Sequence, residues 1–102
     1  MSAACNTSKS FATSTIVHPN RCKLVSVHVS SIASAANVIK IFDSHDATTA
    51  SSDEVLRIYT KSDNSGANVF NHEHDMHGAI MGEGLYVEIT GSGSCQVTVN
   101  YA

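Results

Sequence analysis

The sequence is short of charge, of proline and of long apolar runs, and it has no tryptophan. Asp, Glu, Lys and Arg make up 15% of its 102 residues, against about 25% in an average soluble domain. The formal net charge is -3, and the six Lys and Arg residues stand singly. A nucleic-acid footprint needs a basic patch or stripe, so nucleic acid is excluded as a partner. No run approaches the ~20 apolar residues of a membrane helix, and no membrane partner is expected. Residues 1–12 carry no apolar stretch of the signal-peptide kind, which predicts synthesis in a cytoplasm without export. Cys5, Cys22 and Cys95 are odd in number and lack Cys-x-x-Cys spacing, so they read as reduced thiols.

Catalytic signatures are missing as well. No glycine-rich phosphate loop opens a helix, and no G-x-S-x-G elbow occurs. The histidines lack the His-Glu-x-x-His offset of a helical zinc protease. No enzyme activity and no cofactor are expected.

What the chain does have is alternation. Leu85, Val87 and Ile89 alternate with Tyr86, Glu88 and Thr90, and Val97, Val99 and Tyr101 with Thr98 and Asn100. Period two marks strands with one buried face. Gly91-Ser92-Gly93-Ser94 between them predicts a β-hairpin. Upstream, Thr15 to His18 is a short strand stopped by Pro19-Asn20. Arg21 to Ile32 is a long one, with Val25, Val27 and Val29 inward and Leu24, Ser26 and His28 outward. Val38 to Asp43 faces Ile39 and Ile41 in, with Phe42 on the outward face of Lys40. Glu54 to Lys61 faces Leu56 and Ile58 in. Ser62 to Gly66 is a dense turn signal, and Ala67 to Asp75 is a further strand. Met76 to Glu83 reads as a glycine-punctuated loop.

About seven short strands separated by turns predict an all-β fold, a small antiparallel sandwich of jelly-roll or immunoglobulin-like type. The domain spans 15–102. Residues 1–14, rich in Ser, Ala and Thr without a period, predict an extended N-terminal arm that is ordered by a partner rather than by its own core; the alternative is that it adds an edge strand to its own sheet through Phe11 to Val17.

Three constellations carry possible chemistry. In His72-Glu73-His74-Asp75-Met76-His77, His72 and His74 project from one strand face, and His77 follows beyond a bend. They make a candidate transition-metal set, to be weighed against an ordinary polar strand and loop. Asp43, His45 and Asp46 offer acid–base groups, but Asp and Ser after a strand are also ordinary turn formers. Cys22 and His28, six apart on one strand, are too distant for a nucleophile–base pair. Tyr59, Tyr86 and Tyr101 can form a sugar platform, although packing is the commoner role of strand aromatics.

The runs Leu24 to Ser31, Ala36 to Asp43, Gly84 to Gly91 and Gln96 to Tyr101 resemble short virion structural proteins of tailed phages, especially those infecting cyanobacteria and other marine bacteria. The resemblance covers most of the chain after Ile16 and leaves out the histidine cluster. It implies a small β-sandwich on the virion, made in the host cytoplasm. The role it implies is a capsid decoration or cement protein on the outer surface of the major capsid protein shell. Such proteins act as trimers or other homo-oligomers, so copies of the chain itself are implied partners. Phe11, Ile16 and Phe42 are the candidate partner-binding residues. A tail, neck or fibre-associated adaptor is the alternative within the virion. A carbohydrate- or metal-binding module is the alternative from another class.

Overall fold

Chains that alternate in short runs must bury one face of each strand, and two sheets laid face to face do this around one shared core. The computed structural model describes residues 5–31, 36–60, 70–91 and 95–102, excepting the side chain of residue 70. The described residues form eight strands: β1 (Asn6–Thr7), β2 (Thr15–His18), β3 (Cys22–Ser31), β4 (Asn37–Phe42), β5 (Glu54–Tyr59), β6 (Phe70–Met81), β7 (Leu85–Gly91) and β8 (Cys95–Tyr101). A 3-10 turn, Ser51–Asp53, precedes β5. The expected turns at Ser62 to Gly66 and Ser92 to Ser94, and the start of the strand from Ala67, lie outside the described residues.

The strands form two four-stranded antiparallel sheets. Sheet 1 has the order β1-β8-β3-β6 and sheet 2 the order β2-β7-β4-β5. First pairs with last throughout: β1 with β8, β2 with β7, β3 with β6, β4 with β5. This is a long hairpin of four strand pairs rolled into a sandwich, the jelly-roll arrangement. The interior is built from Leu24, Val27, Val29, Ile39, Ile41, Met81, Leu85, Val87, Val97 and Val99, all 0% exposed, with Ile58 and Cys95 nearly so.

Three expectations are corrected by this topology. The runs Leu85 to Thr90 and Gln96 to Tyr101 are strands, but they are not a hairpin. β7 lies in sheet 2 and β8 in sheet 1, so the two strands do not pair with each other. In a rolled hairpin every connection changes sheet except β4 to β5. Second, β3 carries a bulge. Leu24 faces Tyr101 and Ser26 faces Asn100, leaving Val25 as the extra residue. An extra residue shifts the alternation by one, so Leu24 is fully buried while Val25 is only half-buried. Third, Met76 to Met81 continues β6. His77 and Gly78 adopt positive φ of 54° and 75°, which loops out the extra residues. Ala79, Ile80 and Met81 then rejoin Leu24, Lys23 and Cys22.

The N-terminal stretch is extended, but from residue 5 onward it lies on its own sheet. β1 pairs with β8. Phe11 exchanges two backbone hydrogen bonds with Val97, at 2.9 and 2.8 Å, and its side chain packs on the core. Main-chain hydrogen bonding to an open edge needs no apolar period, so composition gave no sign of it.

Between sheets, the loops are tied by Asp43. Its carboxylate accepts from the backbone N–H groups of Gly82, Glu83 and Gly84 at 3.0, 2.7 and 3.3 Å. Gly84 is required there. A Cβ on it would lie 2.7 Å from the carbonyl oxygen of Ser44 and 2.8 Å from that of His18.

Candidate functional site

Two surfaces of the sandwich carry side chains that the fold itself does not demand. The first is the outer face of sheet 2. Register places Ile16, Tyr86 and Phe42 in one row across β2, β7 and β4. The next row is Glu88, Lys40 and Arg57, and the one after it Thr90, Val38 and Tyr59. Val55 sits in the irregular register beside Phe42 on the edge strand β5. Ile16 is 46% exposed, Val55 41% and Tyr59 60%.

Phe42 is on the outward face, as the alternation predicts, but it is only 4% exposed and so offers nothing to a partner. Its ring lies 6.1 Å from that of Tyr86 directly across the strand pair, and an aromatic pair covers its own area in that way. Of the candidate partner-binding residues, Phe11 is half-buried against its own core and Phe42 is buried. Ile16 alone stays open.

Arg57 makes three side-chain hydrogen bonds on this face. Its Nε and Nη2 donate to both oxygens of Glu54 at 2.8 and 2.7 Å, and Nη1 donates to the Tyr59 hydroxyl at 3.2 Å. The hydrogen bonds from Arg57 hold the Glu54 carboxyl below its ordinary range, and the same bonds raise Arg57. A fixed guanidinium beside an exposed tyrosine loses little entropy when a partner arrives. Sequence reading missed Val55, Arg57 and Tyr59 as a group. The period-two rule places them on one face, but cannot place that face in the same sheet as Ile16, which lies on the opposite edge strand.

The second surface is the inner rim of β6, an edge strand of sheet 1. His72 and His74 stand opposite Val29 and Val27, so they share the face of the core. They lie at the sandwich rim, where His72 is exposed and His74 half-buried. Their Nε2 atoms are 2.8 Å apart and the rings meet edge to face, centroids 4.0 Å apart. Burial, then the neighbouring His72, pushes His74 below the ordinary imidazole value. His77 does not join them. Its Nδ1 is 3.5 Å from Asp75, whose carboxylate also accepts from the His77 backbone N–H at 2.9 Å. Asp75 faces Ser26 on the opposite side of the sheet. Among the described residues no group of three or more His, Cys, Asp and Glu converges.

The remaining constellations resolve as structure. Asp43 is the loop tie described above. His45 lies on the exposed surface 3.3 Å from Asp46 and 3.7 Å from Glu83. Cys22 is buried and His28 exposed, and the β3 bulge puts them on opposite faces. Cys95 is also buried and Cys5 exposed, and none of the three is bonded to another. Burial raises the thiols of Cys22 and Cys95, with Asp43 adding to the shift at Cys22. The three tyrosines do not gather. Tyr59 and Tyr86 are on sheet 2, whereas Tyr101 stands at the end of β8 against His18, ring centroids 5.4 Å apart. A surface cleft of about 280 Å³ is lined by Arg21, Cys22, Lys23, Ile80 and Ala102. No helix among the described residues is long and apolar enough to cross a membrane. Compared with known proteins, the chain matches no family model, no curated protein and no solved structure significantly.

Proposed function

We propose that this chain is a non-catalytic structural module of a phage virion. It decorates the head by binding the outer surface of the major capsid protein shell and neighbouring copies of itself. The observation that carries the reading is the outer face of sheet 2. A half-buried sheet in a protein that meets only water alternates apolar-in and polar-out. Here Ile16, Val55 and Tyr59 are exposed on the outward side around the Phe42–Tyr86 pair. Exposed Tyr and Arg on a rigid support are the side chains that dominate protein–protein contacts.

The sequence resemblance and the jelly-roll topology support the same reading. Viral capsid proteins use this topology, but so do lectins and cupins, so the fold alone does not choose among them.

Mass spectrometry of purified virions from a phage encoding this chain tests the proposal. Hundreds of copies per particle are expected for a head decoration. Copy numbers in the tens would move the protein to the tail or neck, and absence from the particle would overturn the reading. Purified chain added to undecorated heads supplies the binding arm of the test.

A further inference from the structure

We propose that His72 and His74 form a two-nitrogen site for a first-row divalent cation that favours imidazole, such as Cu2+, Ni2+ or Zn2+. The inference is independent of the virion reading, because it uses the opposite sheet and a different chemistry.

The geometry is that of a chelate. Metal–imidazole bonds of ~2.0–2.1 Å with ligand angles of ~90–110° hold two nitrogens roughly 2.8–3.4 Å apart. The two Nε2 atoms are in hydrogen-bond contact at 2.8 Å, so an ion replaces the shared proton, which passes to Nδ1 of its own ring or to solvent, with a shift of at most a few tenths of an ångström in each ring. Two features of β6 create this spacing. Residues i and i+2 of a strand share a face, and the antiparallel register with Val29 and Val27 fixes which face it is. That face is the core side, so the hydrophobic interior lies on one side of the pair and solvent on the other.

His77 is excluded from the set by the left-handed backbone at His77 and Gly78, which turns its ring to Asp75. Glu73 and Asp75 project from the other face of the strand, beside Ser26 and Val25. Among the described residues two ligands converge here, and the proposed site leaves the other coordination positions to exchangeable groups. A site of this kind binds the ion without enclosing it. The order of affinity follows the general order for nitrogen ligands, with Cu2+ ahead of Ni2+ and Zn2+.

The test is calorimetric titration of the full chain with Cu2+ and, separately, Zn2+ in a buffer that does not coordinate metals. One Cu2+ per chain is expected, bound at least tenfold more tightly than Zn2+. His72→Asn and His74→Asn should each weaken binding at least tenfold. His77→Asn and His28→Asn should leave it within about twofold. Thermal melts of each variant without metal show whether it is folded. Added Cu2+ should raise the melting temperature of the parent and of His77→Asn, but not that of His74→Asn. Absence of saturable binding overturns the proposal. So does a loss in His77→Asn or His28→Asn equal to that in the paired variants, because binding would then be diffuse over the surface histidines.

Discussion

The two sheets share one core and differ in what they show the outside. On sheet 1 the outward residues of the central strands are Ser26, His28 and Ser30 on β3 and Gln96, Thr98 and Asn100 on β8. β6 adds Asn71, Glu73 and Asp75. Among the described residues this face is polar apart from the half-buried Val25 at the β3 bulge and Ile80 at one end, 58% exposed beside Lys23. Its groups serve each other and water, as when the Asn100 amide donates to Ser26 Oγ at 2.9 Å. The outward face of sheet 2 has Ile16, Tyr86, Phe42, Val55 and Tyr59 around one row of charge. Folding imposes the same demand on both sheets, to bury one side. It leaves the outer sides unspecified, and the contrast between them is what the proposed docking role rests on.

The comparison breaks most severely if the common interior is disturbed, because both faces then disappear. Val27 is 0% exposed, at the centre of β3 between β6 and β8. Val27→Asp leaves a charge with no partner in the core, at a cost of several kcal/mol against a total of roughly 5–15. The variant should be unfolded by circular dichroism. Next comes Asp43→Ala, which strips three backbone N–H groups of their acceptor. A loss of about 2–3 kcal/mol follows, read as a fall of at least 8 °C in melting temperature at the usual 4–8 °C per kcal/mol for a domain of about this size. Phe11→Ala should cost about 2 kcal/mol, roughly half the usual loss for a fully buried ring, because Phe11 is half-buried. An unchanged melting temperature for Phe11→Ala would mean that the Phe11 ring contributes nothing to the isolated domain.

Those sites also show how much the sequence discloses. Alternation identified the inward residues of β4, β7 and β8 residue by residue, since Ile39, Ile41, Leu85, Val87, Val97 and Val99 are all at 0% exposure. It failed at Leu24 and Val25, where one bulged residue moves the period from even to odd positions. It also cannot say which sheet a strand enters. Gly91 to Ser94 suits a hairpin or an arch equally well, and only the pairing of β7 with β2 and β4 decides. The histidine pair was legible from i, i+2 spacing, because both residues lie on one straight segment. The position of His77 was not, since it depends on a left-handed turn at a non-glycine residue. The sheet 2 face was invisible because its rows join residues some forty positions apart, Ile16 to Val55.

The contrast sharpens with substitutions that alter one outer face and spare the core. Ile16→Lys and Tyr59→Lys lie on the edge strands β2 and β5, where lysine is well tolerated. Each should change stability by no more than about 1 kcal/mol. If sheet 2 docks on the shell, each should weaken binding to undecorated heads at least tenfold, with the melting temperature nearly unchanged. Equal binding by both variants would remove this face from the interface.

The smallest effect is expected from His28→Lys on the opposite face. His28 is exposed on β3, directly across from Glu73 on β6 and Thr98 on β8. A lysine there gains an opposite charge beside it, worth roughly 0.2–1 kcal/mol for a cross-strand pair, and screening by salt trims that gain. The melting temperature should therefore stay level or rise by a few degrees, more at low salt than at high. Binding to heads should not change, because no apolar side chain of sheet 1 lies next to His28 to form an interface core. This variant is informative because Ile16→Lys and Tyr59→Lys also add a positive charge. If His28→Lys weakens head binding as much as they do, the shell is responding to net charge and not to a face. The difference between the two sheets would then reflect folding history rather than docking.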